Sequence, residues 1–245
     1  MHSGFMSKEH NHGPNIKAVV LDYGLVLARC PTTEEFGRMS QLFNVSFELF
    51  YQLWEGSRNL YDRGYVTAEE YWRKLATQTN TSIDAAQIEF LRKVEVEIWS
   101  HLDPDMLDWV SQLHSAGIKT GLLSNMPLDL AAHVRKNGEL LDTFTFVTLS
   151  AEVRLIKPDP AIYKHTVHGL SVLAAETLFV DDRETNTRAA QMLGIHAIQF
   201  STVAQLKKDL EELGFPMLPT AAKPSDFSDA ARSEKLTEPG VKFQL

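Results

Sequence analysis

The sequence predicts an α/β fold: a mainly parallel, five-stranded sheet with helices on both faces, carrying an inserted α-helical subdomain. Two observations predict it. Five short apolar runs, at 17–22, 118–123, 145–149, 177–181 and 195–199, alternate with helical patterns, as in sheets built by crossover connections. The interval between the first two runs is far longer than one crossover helix needs, and it is helical throughout.

The elements follow in order. Ala18, Val19, Val20 and Leu21 form a short buried strand that ends on Asp22, with Gly24 two residues on. Thr32 with Glu35, and Thr67 with Glu70, have the spacing of capping boxes, and "AAQIEFLRKVEVEIW" is a long amphipathic run. Residues 29–100 are therefore read as the helical insert. Asp103-Pro104 and Asp159-Pro160 each set a capping carboxylate before a proline suited to the first helical position. Gly194 closes a helix that starts near 184, and the last strand follows at once. The expected organisation is a loose leader over 1–15, a core of 16–28 and 101–213, the insert over 29–100, and a tail over 214–245. That tail is rich in Pro, Ala and Ser, and is expected to wrap the surface or stay unstructured.

Composition narrows the function. The 245 residues are long enough to bury a substantial core, and 44% hydrophobic with 23% charged is ordinary for a globular protein. Acidic residues outnumber basic ones 32 to 24, a formal charge of −8, which argues against broad nucleic-acid or membrane-surface binding. Cys30 is the sole cysteine, so no intrachain disulfide forms and cysteine-rich metal sites are excluded. It reads as a small buried apolar residue rather than a nucleophile. No stretch reaches the length of a membrane span, and the start has neither the basic nor the apolar region of a signal peptide. A cytoplasmic location is expected.

Four polar clusters follow apolar runs: Asp22, then Ser124-Asn125, then Lys157, then Asp181-Asp182. Ligands of open parallel sheets bind beyond the carboxyl ends of the strands, so these clusters should converge in space. Taken singly, Ser124 and Asn125 are turn formers and Lys157 a surface lysine. Asp181-Asp182 is different, because adjacent carboxylates repel unless a cation or donors compensate them. With Asp22 they suit a hard cation, and Mg²⁺ is the expected cofactor. A carboxylate nucleophile, a divalent metal, a hydroxyl and a lysine together suit attack on a phosphoryl group.

At these residues the chain resembles the haloacid dehalogenase-like (HAD) hydrolase superfamily, through "VVLDYGLVL", "GLLSN", "KPDPAIY" and "LFVDDRETN". The resemblance covers about residues 16–213 and points to the phosphatase branch with a helical cap after the first motif. It implies a Rossmann-like core and Asp22 as a nucleophile that passes through an aspartyl-phosphate. It implies metal contacts from Asp22, the Gly24 carbonyl and Asp182, with Asp181 in support. Ser124 and Lys157 would hold the phosphoryl group, with Asn125 beside them, and Asn186 falls at an auxiliary polar position. In the cap segment "LWEGSRNLYDRGY", Trp54, Arg58 and Tyr61 are candidate substrate contacts.

One position departs from that pattern. Phosphatases of this superfamily usually carry Asp two residues after the nucleophile, as the acid that protonates the leaving group. Here it is Gly24. Three outcomes fit: a substrate with an easy leaving group, an acid supplied by Glu55 or Asp62 of the cap, or a site that binds phosphorylated ligands with weak catalysis. A small phosphorylated metabolite, specifically a sugar phosphate, is the expected partner. The 2-haloacid dehalogenase alternative needs no leaving-group acid, but Asp181-Asp182 speaks against it.

Overall fold

In the computed structural model, residues 14–215 are described. Most of the expected leader (1–15) and tail (214–245) lies outside them, at 1–13 and 216–245. Five strands form one sheet: β1 (Ala18–Leu21), β2 (Lys119–Ser124), β3 (Phe146–Leu149), β4 (Thr177–Asp181) and β5 (His196–Gln199). Their order is β3-β2-β1-β4-β5, and every pairing is parallel.

The strand residues alternate between two cores, as the two-residue period requires. Val19, Leu21, Leu178 and Val180 face one apolar cluster, while Ala18, Val20 and Phe179 face another. The first cluster is closed by α6 (Pro104–Ser115), α7 (Leu128–Lys136) and α12 (Val203–Glu212). The second is closed by α10 (Pro160–Leu170) and α11 (Glu184–Met192). Two short helices, α8 (Gly138–Leu141) and α9 (Ser150–Val153), flank β3 in sequence. Close packing explains two glycines here. A Cβ on Gly169 would sit 2.3 Å from the Phe146 ring, and one on Gly121 would sit 3.0 Å from Val20.

The insert holds α1 (Thr33–Ser40), α2 (Phe47–Gly56), α3 (Arg58–Asp62), α4 (Ala68–Gln78) and α5 (Ala85–Ile98). Thr32 and Thr67 cap α1 and α4 through complete capping boxes. These helices surround a separate aromatic cluster that includes Phe43, Phe50, Trp72 and Leu91. The insert's two connections run side by side. Ala28 bridges Leu102 in antiparallel fashion, and the Arg29 amide donates to the His101 carbonyl at 2.9 Å. The insert also docks on α9. The Ser150 hydroxyl donates to the Asp62 carbonyl, and Gly64, at φ +70°, lies where a Cβ would meet the Ala151 carbonyl at 2.5 Å. Among the described residues no helix is long and apolar enough to cross a membrane.

Candidate active site

The chain leaves β1 toward β2 on one side and later reaches β4 on the other, so the carboxyl ends of β1 and β4 flank a topological switch point. Asp22 follows β1, Asp181 ends β4, Ser124 ends β2, and Lys157 lies on the segment between α9 and α10. The four predicted clusters meet there.

Lys157 is the hub. Its buried ammonium group donates to Asp22 Oδ2 at 2.8 Å, Asp181 Oδ2 at 2.6 Å and the Leu123 carbonyl at 3.1 Å. Those contacts match the three donors of an ammonium. The two carboxylates hold the Lys157 pKa above the ordinary lysine value despite burial, which acts the other way. The Asn125 side chain clamps the Lys157 backbone, accepting from its amide at 2.9 Å and donating to its carbonyl at 3.0 Å. Asn125 thus lines the cavity while its amide is committed to positioning Lys157.

Asp22, Asp181 and Asp182 each bring a carboxylate oxygen within 4.8 Å of the others, and all three are buried. Their surroundings differ. Asp181 is satisfied: it accepts from Lys157, from the Asn186 amide at 2.9 and 3.1 Å, and from the Arg183 backbone at 2.9 Å. Asp182 Oδ2 is buried with no hydrogen-bond partner. Burial, and then the charges of Asp181 and Asp22, push the Asp182 carboxyl up to about 8. Burial likewise raises Asp22 to about 6, against the pull of Lys157. An orphaned carboxylate oxygen beside two more buried carboxylates is a set of hard donors short of positive charge, and a divalent cation such as Mg²⁺ fits it.

These groups line a cavity of about 260 Å³ between the strand ends and the insert. Trp54, Glu55, Arg58, Asn59 and Asp62 reach it from the insert. Tyr61 does not, which corrects the sequence expectation. It is 3% exposed, stacks on Tyr71 at 4.2 Å between centroids, and donates its hydroxyl to Glu95 at 3.1 Å. At i+3 it neighbours Arg58, yet its ring packs into the insert's core beneath the guanidinium, 5.5 Å from ring centroid to guanidinium carbon. Arg58 lines the cavity, but its guanidinium is held by Asp62 at 2.9 and 3.0 Å and by Glu95 at 2.5 Å. Of the two conceivable cap acids, Asp62 is bound to Arg58, and Glu55 pairs with Arg183 at 2.6 Å.

Sequence reasoning missed Trp99 and Arg183, which also line the cavity. Arg183 carried a signal, since it directly follows the paired aspartates at the mouth of the site. Trp99 carried one too: an aromatic residue just after the insert's last helix, where the chain returns to the core.

The family profile described as haloacid dehalogenase-like hydrolase matches residues 13–194. The chain belongs to this family. As a HAD-like hydrolase it has relatives with assigned activities. The flavin mononucleotide hydrolase 1 of Arabidopsis thaliana is 28% identical over 158 residues, covering 63% of this chain and 60% of that protein. The acyl-CoA dehydrogenase family member 10 of Mus musculus is 28% identical over 235 residues, 88% of this chain. The chain spans only 21% to 27% of the length of the first curated relatives it matches. Among solved structures, a wild-type HAD family enzyme from Bacteroides thetaiotaomicron, in complex with magnesium and inorganic phosphate, matches with TM-score 0.60 and 26% identity. That match covers 75% of this chain and 93% of the other. The L-2-haloacid dehalogenase of Xanthobacter autotrophicus shares the fold, with TM-score 0.60, 21% identity, and coverage of 89% and 97%.

Proposed function

We propose that this HAD-like hydrolase is a Mg²⁺-dependent phosphatase acting on a small phosphorylated metabolite. The observation that carries the reading is the unpartnered Asp182 oxygen beside Asp22 and Asp181, in a cavity that also holds Lys157 and Ser124. Asp22 and Asp182 would hold the cation, with the Gly24 carbonyl joining them and Asp181 bracing Lys157. When bound, Mg²⁺ offsets the repulsion between an anionic nucleophile and an anionic phosphate.

The protein's own groups then divide the work. Lys157 holds Asp22 Oδ2 and the Tyr23 amide holds Oδ1 at 2.7 Å, so the carboxylate is fixed for attack on phosphorus in line with the departing oxygen. Ser124, beside Asp22, donates to the phosphoryl oxygens. The P–O bond breaks with its electron pair on the leaving group, which departs as an oxyanion and takes a proton from solvent. Water then attacks the aspartyl-phosphate, freeing the Asp22 carboxylate and releasing hydrogen phosphate and a proton. The insert acts as the cap that covers these steps. Sugar 1-phosphates, aryl phosphates and acyl phosphates all meet the leaving-group requirement set by Gly24. No nucleic-acid or membrane partner is proposed.

The dehalogenase reading fares worse. Three buried carboxylates would repel a haloacid's carboxylate, and Lys157 is already shared between two of them. A phosphate-release screen over a broad metabolite panel, with Mg²⁺ and with chelator, tests the proposal. Release that requires Mg²⁺ supports it. Chloride release from 2-chloropropionate in the presence of chelator would overturn it, and binding of phosphate esters without turnover would leave a binding protein.

A further inference from the structure

The position beside Gly24 is crowded on one side. Its φ is not among the positive values of the chain, and the left-handed residue of the turn is Leu25 at φ 60°. An L side chain is therefore permitted at Gly24 by the backbone. A Cβ added there would meet Trp99 at Cζ3 (3.3 Å), Cη2 (3.7 Å) and Cε3 (3.8 Å). All three atoms belong to the six-membered ring of the indole, which carries no donor. The ring is anchored from both ends of the molecule. The Tyr23 hydroxyl donates to the Trp99 carbonyl at 2.9 Å, and the indole packs against both the core and the insert clusters. Gly24, Trp99, Leu25 and Leu130 all line the cavity.

We propose that Trp99 sets leaving-group specificity: its benzo edge crowds the position beside Gly24 with carbon, so the enzyme takes phosphate esters of planar, weakly basic leaving groups, aryl phosphates foremost. The inference rests on the phosphatase reading and deepens it. Neither Gly24 nor the carbon edge against it offers a proton, so the departing oxygen leaves without a side-chain acid at this position. A phenolate does this readily and a primary alkoxide does not. The same apolar edge favours a flat aromatic group over a hydroxylated one.

Two arms test this. In the kinetic arm, kcat/KM is measured for a graded series of aryl phosphates, glucose 1-phosphate and glycerol 3-phosphate. The proteins are the wild type, Gly24→Asp, Trp99→Leu and the Gly24→Asp/Trp99→Leu double variant. The wild type should fall steeply with leaving-group pKa, with aryl phosphates ahead of glucose 1-phosphate. Gly24→Asp alone should gain little on glycerol 3-phosphate, because Trp99 blocks the new carboxyl. The double variant should gain about 10²–10⁴-fold, the usual contribution of a positioned acid. An equal gain by Gly24→Asp alone overturns the inference, as does glucose 1-phosphate outrunning every aryl ester.

The binding arm does not depend on turnover. Phenylphosphonate and methylphosphonate are titrated calorimetrically into wild type and Trp99→Leu, with Trp99→Phe as a second variant in case the leucine unsettles the packing. Loss of the indole should weaken phenylphosphonate about fivefold and leave methylphosphonate nearly unchanged. Equal weakening of both would make Trp99 a packing residue only. No phosphate release from any ester would remove the phosphatase reading, while this arm still reports whether Trp99 faces the bound group.

Discussion

Two buried clusters of charge border the same cavity, one in the core and one in the insert. In the core, Asp22 and Asp181 share one ammonium group, and an oxygen of the adjacent Asp182 is left with nothing. In the insert, Arg58 binds Asp62 twice and Glu95 once, and Tyr61 satisfies the second Glu95 oxygen. The Trp54 ring lies 4.3 Å from the guanidinium carbon. Both clusters carry more acid than base, and burial raises Asp62 to about 6 as it does Asp22. They differ in hydrogen-bond closure. A buried polar atom without a partner costs about 1–3 kcal/mol and more when it is charged, and Asp182 Oδ2 is the one carboxylate oxygen in that position among the described residues. The insert's charged groups are paired with one another and hold α3 against α5, and the unpartnered atom at their edge is the neutral Trp54 indole nitrogen. The core's cluster keeps a carboxylate oxygen with which to take the proposed cation.

The largest effect should come from Asp22→Asn. An amide cannot attack phosphorus, and removing another enzyme's nucleophile costs on the order of 10⁶-fold in kcat. Phosphate release should vanish while the thermal midpoint holds or rises, since one of three crowded charges is gone. Beryllofluoride should bind the wild type with Mg²⁺ and not the variant. Turnover that survives the substitution would remove Asp22 as nucleophile.

Arg58→Ala should act in the opposite sense. It strands Asp62 and Glu95 in the insert without their cation, and breaking a buried pair in this way costs about 3–5 kcal/mol. Urea unfolding should show a large loss of stability. If Arg58→Ala instead keeps full stability and only raises KM, the insert's cluster is a substrate site and the contrast with the core collapses.

The contrast was only half legible in the sequence. The apolar runs and their spacing placed all five strands within a residue or so, because a buried strand repeats a pattern that needs no knowledge of its neighbours. The core residues were legible for a related reason: each of Asp22, Ser124 and Asp181 stands at the end of such a run, so topology brings them together. The insert offers no such rule. Helical spacing marks Trp54, Arg58 and Tyr61 as near neighbours, but not which of them faces the cavity. Tyr61 turns inward because Glu95, 34 positions on, accepts its hydroxyl. Trp99 against Gly24 is likewise a long-range contact that no local pattern encodes. The docking of Gly64 on Ala151 is another.

A middle-sized effect should separate Asp182 from Asp181. A ligand that binds only the folded state at a hundred times its Kd adds about 2.7 kcal/mol, so saturating Mg²⁺ should raise the thermal midpoint of the wild type. Asp182→Asn should lose most of that rise, because its orphaned oxygen is the one with valence to give. Asp181→Asn should lose less, since Asp181 is engaged by Lys157 and Asn186. A rise that survives in Asp182→Asn and disappears in Asp181→Asn would exchange their roles.

The smallest expected effect gives the finest test of whether the insert contributes chemistry. Glu55 lines the cavity and is the insert's remaining candidate for an acid, Asp62 being bound to Arg58. Its carboxylate pairs with Arg183, at side-chain exposures of 33% and 48%. That contact commits the carboxylate to accepting from the guanidinium instead of facing a leaving group. A half-exposed pair of this kind is worth about 0.2–1 kcal/mol. Glu55→Gln should therefore shift stability by no more than that and leave the dependence of rate on leaving-group pKa as steep as in the wild type. Arg183→Gln should do the same, and the double variant should add nothing beyond the loss of one surface pair. A selective fall of about 10²–10⁴-fold on alkyl phosphates in Glu55→Gln, with aryl phosphates spared, would identify Glu55 as the acid. The insert would then be part of the catalytic apparatus, and the division between a closed insert and an open core would have to be redrawn through Glu55.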